Sequence, residues 1–538
     1  MPTLDWIGKQ AVVNHHREVP YRLLRCEREA SAGEPGGGNL LVEGDNLQAL
    51  KALLPYYAGQ VKCIYIDPPY NTGNEGWIYN DNVNAPEMQK WLGETVGKEA
   101  EDLSRHDKWL CMMYPRLALL HEFLREDGLI FVNIGTDEIG HVCLLLDEIF
   151  GSNNRIAVAA WETSYTANQT AKHISETTDF VYIYAKRFGS AVVGKFERSE
   201  HQLAKFQNPD NDPRGPWKAE NLSAGKFYSA GQFKIVGPTG LEFTPPPGRY
   251  WRCSERQYEE WLADSRITFG KKDTGRPMLK KYRDELAQGL TPTTWWRHED
   301  FGTAKDASIE LKAIFDGEAA FATPKPTRLV RRILQIATEP GDLILDSFAG
   351  SGTTGHAVLA LNKEDGGDRR FILCEMEAKI ASAVASERLR RVISGYGKIP
   401  GLGGSFRYCT LGEPLFDAEG QLREDVKWND LAHHLWFIES GEPWTTTHQL
   451  PKAKQSLSTG GPLIGVGPDG RAIYLLFSSD VPAAQRNGTS TLSAETLEFL
   501  APFDGPRVVY ADACTLRKTA LSRERIAFKQ IPYQIPQQ

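Results

Sequence analysis

Short apolar runs alternate with stretches of helical spacing over two parts of this chain. Leu40 to Glu43, Val61 to Ile66, Leu129 to Ile134 and Phe180 to Ala185 read as strands. The run Val61-Lys-Cys-Ile-Tyr-Ile66 is nearly uninterrupted and closes on proline, the pattern of a parallel strand buried on both faces. Asn46 to Leu54, Leu110 to Leu124 and Val142 to Phe150 predict helices, the second closing at Asp127-Gly128. From about Lys186 to Asp306 the rhythm stops, and Pro, Gly and aromatic residues are frequent. It resumes with a helix at Thr327 to Ala337, a strand at Leu343 to Phe348, a helix at Thr353 to Leu361 and a strand at Phe371 to Cys374, and ends in the Gly-rich link Gly397 to Gly404. Strand-like pieces at Ala472 to Phe477 and Arg507 to Tyr510 suggest a small α/β or α+β appendage.

The alternation predicts an α/β sheet flanked by helices. The expected division is an N-terminal arm (1–38) ending in the flexible Ser31 to Gly38, one half of the sheet (39–186), an inserted domain (187–306), the other half (307–400) and a C-terminal domain (401–538).

The net charge of -7 is not that of a protein that coats nucleic acid nonspecifically, so a reader of DNA must gather its Lys and Arg into one cleft. Eight cysteines are scattered with no CxxC pair, which predicts no zinc site and buried free thiols in a reducing cytosol. The N-terminus lacks a signal pattern and no apolar stretch reaches membrane length, so the expected location is cytoplasmic.

Two turns carry the chemistry. Asp346-Ser-Phe-Ala-Gly-Ser-Gly-Thr-Thr354 follows a strand and opens a helix. Glycines there let backbone approach a ligand, and the helix N-terminus favours a carboxylate. Asp346, Phe348, Ala349, Gly350, Ser351, Gly352 and Thr353 are therefore candidates for holding a nucleotide-like cofactor, and Glu375, with Glu377 as near alternative, for its ribose hydroxyls. No Lys follows the glycines, which excludes a phosphate-binding P-loop. Asp45 and Asn46 join the set or only cap a helix; Lys325, in Phe321-Ala-Thr-Pro-Lys-Pro326, joins it as part of a lid or belongs to a stiff linker.

The second turn, Asp67-Pro68-Pro69-Tyr70, ends its strand, where open α/β sheets place their chemistry. A carboxylate and a backbone carbonyl there can accept both N–H groups of an amine on a planar base. The prolines remove competing donors, and the Tyr70 ring can stack on the base. The polar stretches Asn71 to Asn74 and Tyr79 to Asp81 suit reordering around substrate.

With these motifs the chain resembles the β-class adenine-N6 DNA methyltransferases, and among them the modification (Mod) subunits of type III restriction-modification systems. The resemblance rests on Glu43-Gly-Asp-Asn-Leu47, Tyr65 to Asn74, Trp109 to Pro115, Phe321 to Pro326, Phe348 to Thr354 and Phe371 to Glu377. It implies a Rossmann-like sheet, permuted so that the catalytic motif precedes the cofactor motif, with an inserted target recognition domain. It also implies S-adenosyl-L-methionine as cofactor, N6 of a flipped adenine in double-stranded DNA as target, Asp67, Pro68, Pro69 and Tyr70 as catalytic residues, a homodimer, and a separate restriction subunit. N4-cytosine methylation and a scaffold role for a restriction partner are the alternatives. In the middle segment Arg252, Lys271, Lys272, Lys280, Lys281 and Arg283, interleaved with aromatics including Trp296, are candidates for DNA contact, or form a basic face over an aromatic core.

Overall fold

The computed structural model describes residues 3–33, 38–72, 104–197, 203–285, 289–417, 419–440, 444, 463–477, 490–500 and 503–532. The stretch Tyr79 to Asp81, and Gly73 and Asn74 before it, lie outside these residues. The chain divides into two units, Lys195–Pro292 and the remainder.

The larger unit is built on a ten-stranded sheet. In chain order its strands are β1 (Arg22–Ala32), β2 (Leu40–Glu43), β3 (Val61–Ile66), β4 (Leu124–Ile134), β5 (Arg155–Glu162), β6 (Thr178–Ala185), β7 (Trp295–Trp296), β8 (Leu343–Asp346), β9 (Arg370–Glu375) and β10 (Phe406–Pro414). The order across the sheet is β1-β10-β2-β9-β8-β3-β4-β6-β5-β7. From β10 through β4 every pair is parallel. All six residues of β3 are buried, as its unbroken apolar run requires of a strand covered on both faces.

Helices α1 (Asn46–Tyr57), α2 (Arg105–Phe123), α3 (Ile139–Leu146), α4 (Ala304–Ile314), α5 (Thr327–Ala337), α6 (Thr353–Asp365) and α7 (Glu387–Ser394) flank the sheet. Asp45 accepts from Gln48 N at the start of α1, and Ser104 and Asp107 form a reciprocal cap on α2. The apolar face of α2, with Trp109, Leu110, Met113, Leu117 and Leu120, packs in one core with Ile64, Ile66, Ile130 and Val132.

Three expectations change. β1 and β10 complete the sheet although 1–38 and 401–538 were expected outside it, because charged β1 needs pairing on one side only, as an edge strand. Trp295 and Trp296 pair with Ala160 and Trp161 of β5, so the smaller unit closes at Pro292. Cys26 and Cys409, opposite each other across β1 and β10, are joined in a disulfide rather than free; the other six cysteines are free thiols.

The remaining C-terminal residues of the larger unit form a four-stranded sheet in the order Leu463–Val466, Ala472–Leu475, Arg507–Ala511, Ile526–Gln530, with Trp428–Ser440 packed on it. The smaller unit carries a three-stranded antiparallel sheet (Trp217–Asn221, Ile267–Thr268, Met278–Tyr282) and a core of Leu222, Ile235, Trp251, Cys253, Tyr258, Ile267 and Phe269. Among the described residues no helix is long and apolar enough to cross a membrane.

Candidate active site

The carboxyl ends of β2, β9, β8, β3 and β4 lie along one edge of the sheet, and each delivers a polar residue there: Asp45 and Asn46, Glu375, Asp346, Asp67, and Asn133. Adjacency of β8 and β3 brings the two sequence motifs together. Asp67, Pro69, Lys325, Asp346, Phe348, Ala349, Gly350, Ser351, Thr353 and Glu375 line one cleft, with Asn46, Tyr65 and Ser347.

The turn after β8 is held from several sides. Gly350 and Gly352 take the left-handed φ values of 51° and 74° that favour glycine. Gly350 N donates to Glu375 Oε2 (2.8 Å) and Ala349 N to Cys374 O (3.0 Å). Asp346 accepts from Thr354 Oγ1 (2.5 Å) and Phe348 N (3.0 Å), while burial pushes its carboxyl up to about 7. Behind the turn, buried Arg388 donates to Ser351 Oγ (3.0 Å), Thr353 Oγ1 (2.8 Å) and Thr327 Oγ1 (2.9 Å) and pairs with Glu310 at 3.4 Å. Asn46 Nδ2 donates to Ser347 O, and Arg116 ties Asn46 to Asp45. Asp45 itself caps α1 and is not among the lining residues, so its role in the cleft is indirect.

Around Asp67 the partners are specific. Asn133 Nδ2 donates to Asp67 Oδ1 (3.0 Å) and to Tyr70 Oη (2.5 Å). The Lys325 ammonium sits on Asp67 Oδ2 at 2.6 Å and 4.9 Å from the centre of the Tyr70 ring. Lys325, expected at the cofactor, is thus ion-paired with Asp67. Tyr70 Oη donates to Asp179 Oδ2 (2.7 Å), and Trp109 Nε1 donates to Pro69 O (2.7 Å). A Cβ on Gly135 would stand 2.7 Å from the Tyr70 ring, so glycine at 135 lets that ring approach the end of β4 closely. The Pro68 carbonyl accepts no hydrogen bond among the described residues. Burial pushes the Asp179 carboxyl up to about 6, against the pull of Lys325 and Tyr70.

Asn133, Asp179 and Trp109 Nε1 escaped the sequence reading as site groups. Each is a single polar group at or beside an apolar run; only the position of Asp179, directly before Phe180 to Ala185, offered a signal.

Two expected DNA contacts lie in cores instead. Trp296 is 1% exposed, stacks on Phe301 at 4.7 Å and donates to Thr293 O. Lys280 is 6% exposed and neutralises Asp210 and Asp212 in the smaller unit. Arg252, Lys271, Lys272 and Arg283 are exposed and Lys281 is half-buried.

A family model described as DNA methylase (N6_N4_Mtase) matches residues 61–386. The Mod subunit of the type III restriction-modification enzyme StyLTI of Salmonella typhimurium is 32% identical over 410 residues, covering 74% of this chain and 61% of the relative. The EcoPI Mod subunit of Escherichia phage P1 is 31% identical over 424 residues, covering 70% and 64%. The type II methyltransferase M.KpnI of Klebsiella pneumoniae is 28% identical over 378 residues, covering 66% and 84%. The chain spans less than two thirds of the length of the two Mod subunits. The family match runs from β3 past β9, over more than half of the chain and both halves of the cleft, and the chain belongs to the DNA methylase family.

Proposed function

We propose that this chain transfers a methyl group from S-adenosylmethionine to N6 of an adenine flipped out of duplex DNA. One observation carries the reading: the Asp67–Tyr70 turn and the glycine turn from Phe348 to Gly352 end neighbouring strands and face one cleft. The lone pair of an adenine amine is delocalised into the ring. Acceptance of its two N–H groups by Asp67 and the Pro68 carbonyl draws that pair toward sp3 geometry, while the Tyr70 ring, pinned by Asp179 and Asn133, offers a stacking face. The methyl replaces one hydrogen on nitrogen, and the displaced proton leaves after transfer.

The cleft fits the cofactor. Ser347 Oγ and Tyr65 Oη, both lining it, are buried without partners among the described residues. Glu375 would take the ribose hydroxyls, Gly350 and Gly352 would let backbone approach, and Asn46, Asp346 and Thr353 would flank the ligand. When bound, its sulfonium supplies an electrophilic methyl on a good leaving group.

Mixed-sequence duplex DNA and tritiated S-adenosylmethionine test the reading. Label is expected in N6-methyladenine. Label in N4-methylcytosine overturns the base assignment, and cofactor binding without label on DNA favours a scaffold role. The Mod relatives, named as subunits of restriction-modification enzymes, support a separate restriction subunit and a place in a restriction-modification system; the homodimer rests on the family resemblance alone, and a DNA substrate agrees with the cytoplasm.

In the smaller unit the exposed Lys271 and Lys272 suit phosphate contacts, with Arg252, Lys281 and Arg283 as further candidates. Replacing Lys271 and Lys272 together by alanine is expected to weaken binding on all sequences and to lower the slope of log affinity against log salt by roughly 2. An unchanged slope in fluorescence anisotropy would remove both from the interface.

Asp179 sets a pH dependence. Its folded value of about 6 lies above the 3.8 of an ordinary carboxyl, so the fold disfavours its charge. The penalty is complete above about pH 6 and is released as pH falls toward 3.8. Asp179→Asn is therefore expected to be more stable than the parent at pH 7.5 and to lose that advantage near pH 4. Protonation also weakens acceptance from Tyr70 Oη. The kcat profile of the parent should fall on its acid side near pH 6, and a limb that persists unchanged in Asp179→Asn would assign it to another group.

A further inference from the structure

Beside the catalytic turn lies a second cluster that the reaction as drawn does not use. Glu138, between β4 and α3, is 0% exposed. Its Oε1 accepts from Asn71 Nδ2 and from His106 Nδ1 (2.7 Å), and its Oε2 accepts from His141 Nδ1 (2.6 Å). Because a carboxylate only accepts, each imidazole must carry its proton on Nδ1. No Lys or Arg reaches Glu138 among the described residues; the nearby Arg105 pairs with Asp137 at 3.2 Å. A buried carboxylate is costly unless donors surround it, so something must reward keeping it there.

Asn71 supplies the connection. It follows Tyr70 directly, is 2% exposed and holds φ at +58°, a left-handed conformation that Asn tolerates. Its amide donates to Glu138 and also to Arg105 O (3.2 Å). Glu138 thereby joins residue 71 to residues 105 and 106 at the start of α2, the helix whose Trp109 already holds Pro69 O. A divalent ion shared by His106, Glu138 and His141 is the competing use of these groups. Ligands around a tetrahedral ion at 2.0–2.1 Å stand about 3.3 Å apart. The contacts of 2.7 and 2.6 Å are shorter than that and are those of hydrogen bonds.

We propose that Glu138 is a positioning residue for methyl transfer: it fixes Asn71, and through it the Asp67–Tyr70 turn, with His106 and His141 holding the carboxylate in place. The proposal rests on the methyl-transfer reading for its kinetic part and on geometry alone for the anchoring.

The test is a donor–acceptor reversal. Glu138→Gln keeps the shape but turns one end into a donor, and Asn71→Asp sets two carboxylates face to face. In the double variant the amide stands at 138 and the carboxylate at 71, so the 71–138 hydrogen bond re-forms in the opposite sense, while the contact to Arg105 O is lost and His106 must turn an unprotonated Nδ1 to the new amide. Each single change is expected to lower kcat about 10- to 100-fold, the scale of a misplaced catalytic group. S-adenosylmethionine affinity should stay within about twofold, since neither residue lines the cofactor cleft. The double variant should exceed the slower single by about fivefold or more. Hydrogen exchange over residues 67–71 should rise in the singles and fall back in the double, a readout that needs no turnover. Singles that keep more than half the parent kcat, a double no faster than independent effects would give, or exchange unchanged throughout would each overturn the proposal. So would activation by added zinc that disappears in His106→Ala. Parent enzyme with no transfer to any DNA, but the expected exchange pattern, would fault the methyl-transfer reading and leave the anchoring supported.

Discussion

Asp67→Ala is expected to lower methyl transfer to duplex DNA at least about a thousandfold, near the upper end of what one preorganised polar group contributes. On the proposed reading the carboxylate accepts from the amine, and its described neighbours Asn133 and Lys325 both point donors, not acceptors, at the same place. Removing it takes away the direct partner of the mostly buried Lys325 ammonium and leaves the Tyr70 ring and the more distant Asp179 carboxyl as its compensation among the described residues. Cofactor affinity should change by less than about threefold, because the glycine turn keeps its own contacts to Glu375 and Arg388. Asp67→Asn retains one acceptor oxygen and should fall between the two. Label counting with equilibrium binding separates these effects, and an alanine variant retaining a tenth of parent activity would remove Asp67 from the chemistry.

Arg388→Met should carry the largest stability effect of any single site described. Arg388 is completely buried, and its guanidinium joins the glycine turn (Ser351, Thr353), the start of α5 (Thr327), His356 and Glu310 of α4. Methionine fills most of the volume but satisfies none of these groups. Hydrogen bonds to a charged donor contribute roughly 1.5–3 kcal/mol each, so about 3 kcal/mol is a modest expectation for the whole. His356 is held neutral chiefly by burial and secondarily by Arg388, so burial would keep it unprotonated after the substitution, with the Thr327 hydroxyl at 3.3 Å as the partner that remains. The loosened turn should also weaken S-adenosylmethionine about tenfold. A variant with parent-like thermal unfolding and cofactor affinity would mean that the turn is held by its glycines alone.

The parts of the fold that were legible are those where one physical demand dominates. β3, β4, β6, β8 and β9 are buried on both faces and read as apolar runs. β1 and β7 did not: β1 is a charged edge with four of its eleven residues exposed, and β7 has two residues whose pairing with β5 is set by distant chain. The disulfide was hidden for the same reason, since only the register of β1 on β10 sets Cys26 opposite Cys409. In the site, Asp67–Tyr70 and the glycine turn stood out because their backbone needs unusual residues. Asn133, Asp179, Glu138 and Arg388 did not, because an isolated polar residue becomes a site residue only when the sheet places it. Lys280 and Trp296 misled in the opposite sense: basic and aromatic residues cluster as readily in an ion-paired core as on a binding face.

β3 and β8 touch along the sheet although roughly 280 residues separate Asp67 from Asp346. At about 5–20 residues per second on the ribosome, β3 waits roughly 15 to 55 seconds for β8 to be made. Throughout that interval one edge of an unbroken apolar strand has no native partner, the situation in which nascent chains aggregate or recruit chaperones. The smaller unit, by contrast, has a core drawn from a continuous stretch and can fold while the sheet is still incomplete. Synthesis of this protein should therefore yield a finished smaller unit well before the cleft of the larger one is complete, and slowing translation between residues 67 and 346 should lower the yield of folded chains more than slowing it elsewhere.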